Sequence, residues 1–548
     1  MAAFKPSLAQ QRFYDWVSKE TGNCILNAVA GAGKTTTLLN GIAMMRGKVW
    51  FGVYNKKMAD EIKEKLSARK DLAARTQFSE KLERVESSTF HSLGFSIVRS
   101  HAGKGVNVTI NDRKVKRIVE AMILEKEAEG QCEREDLRQI AGAVESLVSM
   151  AKNRGFVPSS QVREGLSDMR DFAAWEHMVA HFDLADSIPE GMEGVAMKFA
   201  LSVLTRSNRD LATIDMDDMV YLPLALPVRL APWHKFDWVL VDEAQDTNPT
   251  RRALARLVMG PRARLVAVGD PHQAIFGFTG ADNDALEQIA AAFDAVQLPL
   301  TVSYRCPQAV VAHARKWVDH IQAHENAPIG SVTELAYQDL LDMLPTIERA
   351  DYSEMAILCR YNKYLVSLCF KMIRMGLPAK IEGRSIGENL IKMATRWSSI
   401  KTVNALETKV REYEEREVAK AIKAEKENKA DRIADECQTL LTLIERSRAE
   451  GKSQISEMVE MIQEMFADNV SGKGLITLCS AHKSKGLEWN TVYLLDRQAF
   501  MPSKFAKQDW QVAQEMNLIY VAVTRAKQAL VEVTGVREEK DPTKKEGQ

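Results

Sequence analysis

Seven short apolar runs punctuate the chain, at residues 24–27, 49–54, 238–241, 265–268, 355–359, 475–478 and 491–495. Each is rich in β-branched or aromatic residues and is bounded by turn residues. Stretches of helical periodicity separate several of them, an alternation that predicts buried strands of parallel α/β sheets. The runs form two clusters, one before about residue 270 and one after about 355, with Leu298, Pro299 and Leu300 near the change-over. Two sheets are therefore expected, each the core of its own domain.

Between the second and third runs, residues 96–212 carry helical periodicity and few strand signals, which predicts a helical insertion. A second insertion, 391–470, is far more charged, from Glu407, Lys409, Arg411 and Glu412 through Lys420, Lys423, Glu425 and Lys426. Opposite charges three or four residues apart support a solvated helix. Leu406, Val410 and Tyr413, then Leu440, Leu441, Leu443 and Ile444, leave only a thin apolar stripe. This predicts a helical hairpin projecting from the second sheet domain. The expected plan is a first α/β domain over 1–95 and 213–288 with 96–212 inserted, and a second over 289–390 and 471–548 with 391–470 inserted. The polar tail 538–548 is expected to fray.

Length and composition narrow the class. A chain of 548 residues exceeds what one hydrophobic core serves. Lysine plus arginine and aspartate plus glutamate balance at 74 each, so any polyanion must be held by a local groove rather than by net charge. Seven scattered cysteines (Cys24, Cys132, Cys306, Cys359, Cys369, Cys437, Cys479), none in a C-x-x-C pair, argue against a disulfide framework, a zinc ribbon or an iron–sulfur cluster. No basic segment followed by an apolar run opens the chain, and no run is long enough to span a bilayer. A soluble protein of the cytoplasm or nucleoid, or of the nucleus in a eukaryote, is expected.

Two patterns carry chemistry. After the first run, Ala28-Val-Ala30-Gly31-Ala32-Gly33-Lys34-Thr35 leads into the apolar periodicity that begins at Thr36. Strand, glycine-rich loop, then helix is the order that turns backbone N–H groups and a helix N-terminus onto phosphates, with Lys34 reaching the β/γ-phosphates and Thr35 ligating magnesium. Ala28 replaces the first glycine of the usual pattern. Further on, the apolar run 238–241 ends in adjacent carboxylates, Asp242 and Glu243. Such an edge suits phosphoryl transfer to water, Asp242 holding the magnesium shell and Glu243 orienting or deprotonating the attacking water.

With Gly269-Asp270-Pro271-His272-Gln273 and Phe276 just downstream, these residues resemble the superfamily 1 DNA helicases of the UvrD type. The resemblance runs from about Ser7 to Ala529, weakening in both insertions, and rests on seven or eight blocks in the family's order. It implies two RecA-like P-loop domains with ATP between them, each with a mainly helical insertion. By the same resemblance Gln10, with Gln11 as adjacent rival, reads adenine; Gln273 senses the γ-phosphate; Tyr304 stacks near the base and Arg305 contacts the γ-phosphate; Arg525 is a second arginine finger; and Glu488 contacts the nucleotide sugar. The last motif, Glu515-Met-Asn-Leu518, is closer to the F-box DNA helicase branch than to the bacterial repair members.

For single-stranded DNA the family positions offer Tyr54 with Lys57, the block Thr89, Phe90 and His91, then Phe276 and Phe278, and His482. Aromatic faces that stack on bases beside polar contacts to phosphate suit a strand read without sequence preference. Phe276 and Phe278 stand where the family has tyrosine and tryptophan, and Thr279 where arginine is common. The pairs His177/His181 and His320/His324 have the i, i+4 spacing of a metal site on a helix but lack the flanking residues of one, and read as helix-surface histidines. Three readings follow: a 3′-to-5′ helicase acting on single strands and single-strand/duplex junctions, a translocase that strips proteins from single strands, and a motor that requires a protein partner docked on the 391–470 insertion. ATP and Mg2+ are the expected cofactors, and a monomer the expected state.

Overall fold

The computed structural model describes residues 6–68, 77–79, 82–83, 85–103, 107–129, 134–277, 280, 282, 284–375, 377–382, 384–423, 427–465, 474–506 and 508–536. Cys132, Glu425, Lys426 and the tail 538–548 lie outside these residues. The chain divides into two units, residues 1–29 with 33–301 and residues 30–32 with 302–548.

The first unit is built on a six-stranded sheet in the order Ala295–Leu300, Asn23–Ala28, Met259–Gly269, Phe236–Val241, Val49–Val53, Val85–Thr89. All its pairings are parallel. Val49–Val53 is buried at every position, as expected for a parallel strand covered on both faces, which is why these runs read as continuously apolar. Ala295–Leu300 corrects the domain plan. It pairs with Asn23–Ala28, so residues 289–301 belong to the first unit instead of opening the second domain. Only Leu298 and Leu300 of it are buried, so it lacks the continuous apolar run of the other strands, and Pro299 is tolerated because the strand lies at the sheet's edge, where a missing N–H costs little.

The first insertion is built mainly of helices, its core formed by residues such as Val119, Leu147, Trp175 and Phe199. That core also takes in Tyr221 and Leu222 from helix Met216–Ala225, so the insertion extends past residue 212. Asp215 caps this helix in a capping box with Asp218. Two buried lysines meet these carboxylates: Lys152 lies 2.6 Å from Asp215 and 2.8 Å from Asp218, and Lys114 lies 2.7 Å from Asp218. Removing one cation from such a cluster leaves buried negative charge uncompensated. Lys152→Met is therefore expected to destabilise the protein by about 3–5 kcal/mol in chemical denaturation; a loss below ~1 kcal/mol would contradict this account of the cluster.

The second unit has its own six-stranded parallel sheet, ordered Ser331–Ala336, Ala526–Thr534, Trp489–Leu495, Met355–Cys359, Ile476–Ser480, Ala379–Glu382. Its insertion folds as helices Arg384–Ala394, Val403–Lys423, Glu427–Ala449 and Ile455–Met465. The hairpin does not project as a separate arm. Leu406, Val410, Leu440, Leu443 and Ile444 are fully buried in one core with Leu365 and Met372 of helix Asn362–Arg374. Asp435 adds a polar link, accepting the backbone N–H groups of Asn362 and Lys363 at 3.1 and 3.2 Å. The stripe is thin because the outer faces are solvated by pairs such as Arg411–Glu407 and Lys409–Glu412. Its apolar residues are thus consumed inside the unit, which removes the ground for reading them as a docking surface. His320 and His324 also depart from expectation: they lie in a turn and loop around the short strand Gln322–Ala323, not on a helix. No described helix is long and apolar enough to cross a membrane.

Candidate nucleotide and nucleic-acid sites

Three neighbouring strands of the first sheet, Asn23–Ala28, Met259–Gly269 and Phe236–Val241, end at the same edge, the place where α/β sheets hold ligands. From the first end runs the loop to helix Lys34–Ile42. Gly31 and Gly33 take φ of 72° and 74°, the left-handed conformation that lets successive N–H groups face one concavity. Ala28 is the last residue of its strand, paired with Leu300, so its Cβ meets no left-handed turn and the missing glycine is accommodated.

From the third strand end, Asp242 and Glu243 reach the same loop. Lys34 Nζ lies 3.0 Å from Glu243 Oε2, and Thr35 Oγ1 donates to Asp242 Oδ2 at 3.1 Å. Burial alone would push Lys34 down, but Glu243, Asp270 and Asp242 together hold its ammonium above the ordinary lysine range. Burial, then the charge of Glu243, pushes Asp242 up to about 6. Glu243 itself has φ 49°, a conformation costing on the order of 1–3 kcal/mol in a non-glycine residue and concentrated at functional sites. A hydroxyl and a carboxylate side by side form the hard oxygen set that suits Mg2+.

Two participants were not singled out in the sequence. Asp270, fully buried at the end of the middle strand, accepts from Gln273 Nε2 at 2.7 Å, and Gln245 donates to Glu243 at 2.6 Å. Both stand within recognisable motifs, and their spacing alone gave no sign of a bond between them. Gln10 is 3% exposed. Its Oε1 accepts from Ser7 N and its Nε2 donates to Thr37 Oγ1 at 3.0 Å, tying the first helix to the one after the glycine-rich loop. Gln11 is exposed and bonds Asp15. Thr36 is exposed beside Lys34 and Thr35.

The proposed DNA residues of this unit separate into two groups. Tyr54 and Phe276 come together with nearly parallel rings, 6.0 Å between centroids and 9° apart, and the Arg251 guanidinium lies 5.0 Å from the Tyr54 ring. Arg251 had not been singled out, because only the fold brings it to Tyr54. Lys57 is exposed on helix Lys56–Ser67. Thr89 caps helix Phe90–Ala102 by accepting from Ser92 N. Phe90 is corrected to a core residue: 4% exposed, it stands edge-on to Trp50 and offers no free face to a base. His91 is pushed down to about 4 by burial and by Arg251, so its imidazole is neutral at pH 7. Phe278 and Thr279 lie outside the described residues.

In the second unit Tyr304 is 44% exposed, its ring 4.8 Å from that of His324. Arg305 Nε pairs with Glu488 Oε2 at 2.6 Å, joining two residues singled out for nucleotide contact. Arg525 is 1% exposed. Its guanidinium donates to the carbonyls of Val521 and Leu487 at 2.8 and 3.2 Å, braced between helix Asp509–Val523 and the segment before Trp489–Leu495. His482 is pushed down to about 3 by burial and then by Arg360 and Lys483, so it too is neutral. Nearby, Arg360 makes a bidentate pair with Glu515 at 2.9–3.2 Å, the first residue of the last motif.

Comparison with known proteins gives a consistent picture. Residues 10–294 match the UvrD/REP helicase N-terminal domain, and residues 384–534 the UvrD-like helicase C-terminal domain. The chain is similar to the ATP-dependent DNA helicase Rep of Salmonella typhimurium, 30% identical over 306 residues that cover 52% of this chain and 39% of that protein. It is 27% identical to F-box DNA helicase protein 1 of Schizosaccharomyces pombe over 54% of this chain and 34% of that one. To the ATP-dependent DNA helicase UvrD2 of Mycobacterium bovis it is 24% identical, over 92% of this chain and 75% of that protein. The matched region spans less than half the length of the Rep relatives.

Proposed function

The chain belongs to the UvrD/REP helicase family, and from that premise we propose that it is an ATP-dependent motor on single-stranded DNA that opens duplexes carrying a single-stranded tail. The observation that carries this reading is the convergence of Lys34, Thr35, Asp242, Glu243 and Gln273 on one sheet edge, with the Tyr54–Phe276 pair in the same unit. In this reading the glycine-rich loop and Lys34 hold the phosphates, Gln10 lies against the adenine, and Glu243 takes the proton of the attacking water. Thr35 and Asp242 would hold Mg2+, which would neutralise charge on the phosphates. By their family motifs, Tyr304, Arg305, Glu488 and Arg525 of the second unit are read as nucleotide contacts, the arginines as cations for the transferring phosphoryl group.

Phe276, with Tyr54, is the proposed base platform; Lys57 and Arg251 supply positive charge, and His91 and His482 act as neutral partners. Stacking is worth about 1–3 kcal/mol per base. Phe276→Ala is therefore expected to weaken single-strand binding and to lower DNA-stimulated hydrolysis more than basal hydrolysis. Equal loss of both rates would assign Phe276 to packing instead.

The test of the proposal is ATP-dependent strand displacement on matched duplexes with a 3′ or a 5′ tail. Opening of the 3′-tailed duplex alone is the expected result. A translocase that displaces proteins without opening duplexes is the second reading, favoured by the packing of the 391–470 insertion as a rib of the second unit. It predicts strong DNA-stimulated hydrolysis with neither duplex opened.

A further inference from the structure

We infer that Gln245 is a positioning residue that ties the carboxylate of Glu243 to the loop carrying Gln273 and Phe276, so that contact with DNA alters hydrolysis through this amide. The inference rests on the reading of the chain as a DNA-dependent ATPase.

Gln245 sits in the short turn Ala244–Asp246, two residues after the left-handed Glu243, and is 1% exposed. Its two ends face different elements. Nε2 donates to Glu243 Oε2 at 2.6 Å, while Oε1 accepts the backbone N–H of Asp270 at 3.1 Å. Asp270 carries the connection onward: Oδ1 accepts from His272 N at 3.0 Å and Oδ2 from Gln273 Nε2 at 2.7 Å. Three residues later Phe276 stacks with Tyr54. Lys34 Nζ bonds the same Glu243 oxygen that Gln245 does. A shift of the Asp270 loop is therefore felt, through one amide, at the pairing of the phosphate-binding lysine with the hydrolytic carboxylate.

The residue types are those this link requires. A primary amide can donate to a carboxylate with one end and accept a main-chain N–H with the other without adding charge. A carboxylate at position 245 would keep the acceptor but set a like charge against Glu243. An apolar chain would leave the Asp270 N–H unpaired in a buried site. The approach is close enough to restrict the neighbouring strand: a Cβ at Gly269 would fall 2.4 Å from Gln245 Oε1, so the strand ends in a residue without a side chain. A buried glutamine that merely filled space would need neither this contact nor both of its bonds.

The experiment compares wild type with Gln245→Met and Gln245→Glu, measuring ATP hydrolysis with and without single-stranded DNA, binding of a fluorescent ADP, and thermal unfolding. Both variants are expected to bind ADP within about two-fold of wild type, since the glycine-rich loop and Lys34 are intact, and to lose about ten-fold or more in DNA-stimulated kcat. The ratio of stimulated to basal turnover should shrink in both. Gln245→Glu, the closer match in volume, should be at least as impaired as Gln245→Met. A stimulation ratio unchanged in either variant overturns the inference. So does a loss of ADP binding and melting temperature in step with turnover, which would assign Gln245 to packing. Failure of the underlying reading is separately visible, because wild type itself would then hydrolyse ATP at a rate indifferent to DNA.

Discussion

Replacing Lys34 by alanine should lower ATP turnover on the order of 10²-fold or more, at every DNA concentration, while the protein remains folded. The ammonium is held charged by carboxylates on two strand ends, Glu243 and Asp242 on one and Asp270 on the other. It is thus pre-positioned where a nucleotide's phosphates would develop and carry negative charge. The structure also sets the control. Lys34 keeps 13% of its side chain exposed and pairs with a partly exposed Glu243, so its removal costs less stability than loss of the buried Lys152. Unchanged thermal unfolding together with lost hydrolysis is the expected pattern. Turnover within two-fold of wild type would remove the phosphate-binding role on which the rest of the account depends.

Glu243→Gln tests the other side of the same ion pair. The amide keeps the shape of the carboxylate and can still accept from Lys34 and Gln245, but it cannot take a proton from water. Loss of a positioned general base typically costs about 10²–10⁴-fold. Nucleotide binding should persist, because Lys34, Thr35 and Asp242 are untouched and one negative charge near the phosphates is gone. Binding retained with hydrolysis lost is the signature to look for in a nucleotide-binding titration run beside a phosphate-release assay. Unchanged steady-state hydrolysis would mean that another group activates the water.

The parts of this molecule written as local order were legible in the sequence. Strand, glycine-rich loop and helix follow one another at residues 23–42, and the acidic pair directly ends a strand, so backbone sterics and strand direction place them without help from distant residues. What depended on long-range packing was not legible. Phe90 and Phe276 look alike as aromatics in motifs, yet one lies edge-on to Trp50 in the core and the other stacks with Tyr54. The strand Ala295–Leu300 is not legible because three of its six positions are exposed and it contains a proline, and only its pairing with Asn23–Ala28 assigns it to the first sheet. The apolar stripe of the second insertion was seen, but not that Leu365 and Met372 cover it. Arg525 was recognised by its motif, whereas the brace from Val521 and Leu487 carbonyls arises where separate segments of the second unit meet.

The most direct measurement of the central claim is ATP-driven displacement of streptavidin from the end of a biotinylated single-stranded oligonucleotide, with Lys34→Ala run in parallel. The account predicts ATP-dependent displacement from one end only by the wild-type chain, and none by the variant. ATP hydrolysis by the wild type with no displacement from either end would contradict it.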